Sequence, residues 1–248
     1  KITVSFFSTL LSTTPQTIFS WGDLSVFIDQ NSCVAIDIGE KRLLTSSEKI
    51  RLRLWYSCEL SVSSLGEVGL QLTTESLLDI VQIPGKTIGL TSLTALLNRS
   101  AIARIGAAVI GDKRCFNGKI EAPTVLVDGN VAAEWDFSQN IPSLTIKAKK
   151  GPNLKLFNAP VRGVTGKDWD GTEFCWRHKP EHYAAIHFHD DDIYDFNWRC
   201  DFEFEVPNDM PSGVYVMKIE AEGQSDAIPF FVCPPLGQPK SDVCVLVS

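Results

Sequence analysis

All four histidines of the chain, His178, His182, His187 and His189, fall within residues 164–198, and Asp190, Asp191 and Asp192 directly follow the last of them. In Ala185-Ile186-His187-Phe188-His189 an extended backbone alternates its side chains, so Ile186 and Phe188 face one way and both imidazoles the other. Two imidazoles two residues apart on a strand can share a metal. A following carboxylate would complete a facial set that leaves positions open for an activated water. His187, His189, Asp190, Asp191 and Asp192 are therefore the candidate polar site. Against this, no spacing fixes a third ligand, and successive aspartates at a strand end commonly cap backbone N–H groups and face water. The cluster is read as structural, with no catalytic and no metal-binding residue assigned.

Nucleophile signatures are weaker still. Ser46-Ser47, Ser63-Ser64 and Ser212-Gly213 lack the G-x-S-x-G setting that exposes a catalytic serine. Cys175 lies near His178 without a telling spacing, and Glu203 and Glu205 alternate as they would on a solvated strand face.

Strands must position these residues. From residue 1 to about 160, short runs at period 2 are separated by Gly, Asp, Asn and Ser, which predicts half-buried antiparallel strands. The runs are 1–6, 17–21, 24–28, 34–38, 50–56, 68–72, 116–121 and 133–138. Residues 90–104 leave room for a short helix but lack convincing apolar spacing. Trp21, Trp55 and Trp135 are expected in the core. Residues 158–166, punctuated by Gly and Pro, read as a linker. Beyond it, 202–206 alternates, 207–213 is a turn, and 214–220 with 228–232 reads as a hairpin. Residues 234–239 form a stiff exit, and 243–247 is a buried-type apolar strand.

At 248 residues with a formal net charge of −7, the chain has no basic stripe to neutralise phosphates, so nucleic acid is not an expected partner. No apolar run approaches the roughly 20 residues that span a bilayer, so no membrane is expected. Seven cysteines, odd in number and without CxxC, are not a disulfide framework. Cys33, Cys58, Cys233 and Cys244 lie in apolar runs and are expected as buried thiols in a reducing, cytoplasmic setting. The sequon Asn98-Arg99-Ser100 is taken as chance. The chain starts on a strand at Lys1 and stops on one at Ser248, as though taken from something longer.

The order Ile18-Phe19-Ser20-Trp21, Leu24-Ser25-Val26-Phe27-Ile28-Asp29, Arg51-Leu52-Arg53-Leu54-Trp55-Tyr56 and Gly66-Glu67-Val68-Gly69-Leu70 resembles a laminin-G or concanavalin-A-like lectin sandwich. Residues 202–232 resemble the last strands of a small immunoglobulin-like sandwich. Val164-Thr165-Gly166-Lys167-Asp168-Trp169-Asp170-Gly171-Thr172-Glu173, His182-Tyr183-Ala184-Ala185-Ile186-His187-Phe188-His189-Asp190-Asp191-Asp192, Ser212-Gly213-Val214-Tyr215 and Ile228-Pro229-Phe230-Phe231-Val232 resemble the large subunit of the N,N-dimethylformamidase family.

That resemblance implies an amidohydrolase of formamides with a small partner subunit and subunit assembly. It also implies a mononuclear iron held by tyrosine and glutamate in a catalytic domain C-terminal to this region. The expected layout is all-β: a lectin-like sandwich over 1–160, an immunoglobulin-like module over 161–235, and at 236–248 a linker and the first strand of the catalytic domain. The chain is expected to be non-catalytic scaffold without a cofactor of its own, partnered by that domain and the small subunit. Two alternatives stand beside this: a carbohydrate- or protein-binding lectin-like module, and a metal-dependent hydrolase using His187, His189 and Asp190–Asp192.

Overall fold

Alternating apolar residues broken by tight turns build antiparallel strands that pair with their sequence neighbours. A computed structural model describes residues 1–74, 101–108, 115–189 and 195–244, together with the backbone course of 80–87. The strands are β1 (Ile2–Ser8), β2 (Gln16–Trp21), β3 (Leu24–Ile28), β4 (Cys33–Ile38), β5 (Lys41–Lys49), β6 (Trp55–Val62), β7 (Glu67–Thr74), β8 (Ile80–Thr87) and β9 (Ala103–Ile105). They continue as β10 (Gly118–Val127), β11 (Asn130–Trp135), β12 (Thr145–Ile146), β13 (Ala148–Lys150), β14 (Leu154–Lys155), β15 (Val161–Val164), β16 (Ala185–Phe188), β17 (Gly213–Ala221) and β18 (Gln224–Val232). The helical content among the described residues is one 3-10 turn, Pro180–Tyr183.

The chain is all-β and divides into two compact units, Lys1–Asp192 and Ile193–Ser248. In the first unit, the described residues form a nine-stranded antiparallel sheet, β13-β11-β10-β1-β6-β7-β8 with β16 and β15 joined through β10, and a five-stranded sheet, β5-β4-β3-β2-β9. Both sheets feed one core. Val4, Phe6, Tyr56, Leu60, Val68, Leu70 and Ile120 from the larger sheet join Ile18, Val26, Ile28, Val34 and Ile36 from the smaller. Two sheets sharing apolar inner faces are a β-sandwich. Phe6 is fully buried, stacks on Tyr56 at 5.4 Å and meets Phe116 edge-on at 6.1 Å. An aromatic cluster of this kind contributes on the order of 1.5–3 kcal/mol per buried side chain. A second apolar cluster, Ala133, Trp135, Phe137, Ile146 and Ile186, lies under the β11–β16 end of the sheet.

Several expected strands appear in place, among them 1–6, 17–21, 24–28, 34–38 and 68–72. Of the run at 50–56, only Trp55 and Tyr56 are strand, where β6 opens. Residues 51–53 turn, Arg53 takes φ 58°, and Leu52 is exposed, while Ile50 and Tyr56 remain buried on either side. Here the chain crosses from β5 in one sheet to β6 in the other, and three hydrogen bonds fix the crossing. Ile50 N donates to Ser32 O, Arg53 N to Ser8 O, and Arg51 N to the Tyr56 hydroxyl. The crossing also decides which aromatic enters the core: Tyr56 points inward with Phe6, while Trp55 lies against Phe7 on the opposite face, with centroids 5.4 Å apart and planes tilted by 49°. Of the three tryptophans expected inside, Trp135 is buried, with its indole N–H on Pro152 O at 2.7 Å, and Trp21 packs partly buried against the core.

Residues 158–160 turn, with Asn158 and Ala159 at φ 58° and 47°, but Val161–Val164 is strand β15, hydrogen-bonded to β16. The sandwich sheet therefore extends past residue 160. In the second unit β17 and β18 form a nine-residue-by-nine-residue hairpin around Glu222-Gly223. Residues 202–206 are not a strand, although Phe204 reaches Phe230 at 5.8 Å and Phe230 stacks on Tyr215 at 5.6 Å. Cys33 and Cys58 are buried as expected, whereas Cys233 and Cys244 are exposed. The run leading into Cys233 is β18, which pairs with β17 and stays largely exposed, and Cys244 lies in no strand among the described residues. Most of the helix window at 90–104, the sequon at 98–100 and residues 245–248 lie outside the described residues.

Candidate functional site

Strand β16 carries His187, with His189 directly after its last residue, and lies inside the sheet rather than at its edge. Its residues pair with β10 (Lys119 opposite His187, Ile120 opposite Ile186) and with β15 (Val161 opposite His187). Ile186 is buried in the second core cluster, and Phe188 packs against both clusters. A Cβ added at Gly106 would meet the Phe188 ring at 2.7 Å, so the glycine is what lets Phe188 seat. With Ile186 and Phe188 turned inward, His187 and His189 share the outer face, their ring centroids 5.6 Å apart and planes inclined at 55°. The alternation read from the sequence thus gives the observed pair. Asp190, Asp191 and Asp192 lie outside the described residues, so their place beside the pair is not part of this geometry. Among the described residues no group of three His, Cys, Asp or Glu side chains gathers as a metal site.

The other two histidines belong to the loop joining β15 to β16. Its base is closed by Gly166 N donating to His182 O at 2.8 Å, while Lys167 N donates to the buried Glu121 Oε2 at 2.8 Å. A Cβ at Gly166 would lie 2.5 Å from that same carboxylate oxygen, so only glycine permits this approach. Within the loop, Asp170 accepts from the Thr172 hydroxyl (2.6 Å) and amide (2.9 Å), which hold its carboxyl down to about 2, helped by His182 and Lys179. Glu173 accepts from the amides of Cys175 and Phe174, and these bonds hold its carboxyl below the usual range. His178 Nδ1 lies 3.3 Å from Glu173 Oε2, and buried His182 Nδ1 lies 3.4 Å from Asp170 Oδ1. His178 therefore faces a carboxylate, and its amide bonds the Cys175 carbonyl. Each of these contacts braces the loop.

Two further groups escaped the sequence reading. Arg162 of β15 donates to four backbone carbonyls: Phe137 (2.7 Å), Ser143 (2.9 Å), Gln139 (3.0 Å) and Asn140 (3.3 Å). Carbonyl targets leave no sequence signature, so an arginine in a presumed linker gave no warning. Next to this clamp, an open cleft of about 220 Å³ is lined by Glu121, Glu134, Asp136, Asp168, Glu181 and Lys149, among others. Lys149 lies 3.2 Å from Asp136 and 3.5 Å from Glu134. Burial pushes the Asp136 carboxyl up, but the Ser138 hydroxyl and amide and then Lys149 outweigh it and hold it below the usual range. Lys149 thus sits in an ion-pair network with Glu134 and Asp136.

The tyrosines test whether a tyrosine–glutamate iron site fits the chain. The Tyr56 hydroxyl accepts from Arg51 N, and those of Tyr183 and Tyr215 donate to the carbonyls of Glu173 and Pro211. Each described phenol is thus tied to backbone, and the residues described here do not fit such a site.

Residues 161–248 match the family model described as N,N-dimethylformamidase beta subunit-like, C-terminal. The chain is 37% identical over 187 residues to the N,N-dimethylformamidase beta subunit of Paracoccus aminophilus, covering 63% of this chain and 24% of that protein. It is 36% identical over 177 residues to the N,N-dimethylformamidase beta subunit of an Alcaligenes species, covering 59% of this chain and 23% of that protein. The match thus spans about a quarter of each relative's length, and the chain is a relative of these beta subunits.

Proposed function

We propose that this chain is a non-catalytic assembly region of a dimethylformamidase-like amidohydrolase, whose complete form hydrolyses the C–N bond of formamides in the cytoplasm. Its first unit serves as a lectin-like sandwich and its second as part of an immunoglobulin-like module. Together they wall and hold an iron-bearing catalytic domain and a small subunit.

The observation that carries this reading is the hairpin β17–β18. Paired residues of an antiparallel hairpin share a face, which sets Val214 with Phe231 and Val216 with Pro229 on one side. Val214, Phe231 and Val216 are 69%, 52% and 59% exposed. A two-stranded hairpin alone is marginally stable in water, and a contiguous exposed apolar face marks an interaction surface. The hairpin lies inside the family match, and three quarters of each relative's length lies beyond the matched part. The occupant we assign to this face is the remainder of such a large subunit.

The test is formate release from dimethylformamide, with iron content measured in parallel, for the chain alone and for a complete large subunit containing it with its small partner. Iron and formate from the complete assembly alone support the reading. Turnover by the isolated chain overturns it.

A further inference from the structure

We propose that β17 takes an added β-strand along its outer edge, supplied by the remainder of the large subunit. This rests on the assembly reading above and names how the hairpin is met: by backbone pairing on one chosen edge, beside the cover over its apolar face.

The register decides which edge is open. Glu222 and Gly223 both hold positive φ, 51° and 79°, so a two-residue turn closes the hairpin and Ala221 with Gln224 is its first hydrogen-bonded pair. Pairs then alternate. At Glu220 with Ser225, Lys218 with Ala227, Val216 with Pro229 and Val214 with Phe231, the backbone groups of both residues point away from the hairpin. On β18 this outer row is blunted. Pro229 has no N–H to offer, and the Ala227 N–H donates to Asp226 Oδ1 at 2.8 Å. On β17, among the described residues, the N–H groups of Val214, Val216, Lys218 and Glu220 have no acceptor. An open row of donors on one edge, with the other edge blunted, directs a strand to β17.

The side chains along that row describe the strand that fits. Val214 and Val216 are exposed and apolar, whereas Lys218 and Glu220 pair with each other toward the turn. The incoming strand therefore carries apolar residues beside the valines and polar ones beside the ion pair. A second copy of β17 does not fit. Laid antiparallel at full overlap, it would set Val214 against Glu220 and Val216 against Lys218, apolar against charged at each outward pair. Residues 202–206 do not fill the edge either: the Phe204 ring meets Phe230, which stacks on Tyr215, on the hairpin's opposite face. Three quarters of each relative's length lies beyond the matched part, and a strand from there is the occupant.

Single-amide hydrogen exchange, read by mass spectrometry on this chain alone and on the complete large subunit with its small partner, tests the edge. The expected result is that assembly slows Val214, Val216, Lys218 and Glu220 at least about tenfold more than Ser225 and Phe231. Lys218→Pro removes one outward donor without touching the hairpin's own bonds, and it cuts the slowing at Val216. Ala227→Pro, directly across on the other edge, leaves that slowing in place. Three results overturn the added strand while the assembly reading stands: equal slowing of Ser225 and Phe231, slowing confined to amides already bonded within the hairpin, or unchanged slowing at Val216 in a folded Lys218→Pro variant. No slowing anywhere in the hairpin overturns both. The comparison in the unsubstituted assembly decides even where a proline variant fails to fold.

Discussion

Replacing Arg162 by methionine tests whether residues 158–166 are joint rather than linker. Of its four acceptors, the bonds to Phe137 O and Ser143 O are half-buried, while those to Gln139 O and Asn140 O are exposed. Exposed carbonyls regain water when the guanidinium leaves, so they contribute little to the loss. The half-buried pair each lose a charged donor worth about 1.5–3 kcal/mol. Partial rehydration favours the lower end, which gives a loss of about 3 kcal/mol. With a urea slope of roughly 2 kcal/mol per molar, the midpoint falls by about 1.5 M at unchanged slope. Arg162→Lys keeps the charge but not the fork, and a point-charge ammonium recovers about half of the loss. Urea unfolding followed by tryptophan fluorescence reads both variants, since Trp135 lies in the apolar cluster beside this clamp. A midpoint shift below about 0.3 M for Arg162→Met, or equal shifts for Met and Lys, would refute the reasoning.

Gly118 holds φ 148°, and a Cβ there would run into the Phe7 carbonyl oxygen where β1, β10 and β16 meet, so Gly118→Ala should cost at least about 2 kcal/mol in thermal unfolding. Burial, and secondarily Glu59, push the Cys58 thiol up to about 12, so iodoacetamide at pH 8 should label Cys200, Cys233 and Cys244 but leave Cys58 unmodified until the chain is unfolded, as read by peptide mass spectrometry. Asp136 is held below its ordinary value despite burial. Its contribution is therefore present above the unfolded carboxylate value near 3.9 and is lost as pH falls through the lower folded one. Asp136→Asn should flatten stability against pH below about pH 4 in acid titration, and an unchanged acid limb would count against the Ser138–Lys149 network.

Much of the sandwich was legible because burial imposes period 2. β7, with its buried Val68, Leu70, Leu72 and Thr74, is the plainest case. The same rule placed His187 and His189 on one face, since Ile186 and Phe188 had to go inward. The alternation failed at residues 50–54, because the crossover between sheets buries Ile50 and then turns at Leu52 and Arg53 before β6 opens at Trp55. It failed again at 202–206, where the apolar residues have no sheet to join among the described residues. Long-range polar devices were not legible at all. Glu121 receives Lys167 N from a residue 46 positions away, and Arg162 reaches carbonyls 19 to 25 positions back. Neither distance has a period.

The assembly role rests on the apolar face of β17–β18, and hydrogen exchange on that hairpin tests it most directly. Amides of 213–221 and 224–232 would be compared in the isolated chain and in the complete large subunit with its partner. The account predicts rapid exchange in the isolated chain and strong protection in the assembly, reversed by Val216→Asp with Phe231→Asp. Equal exchange in both, or protection of the isolated chain that rises with its own concentration, would contradict it.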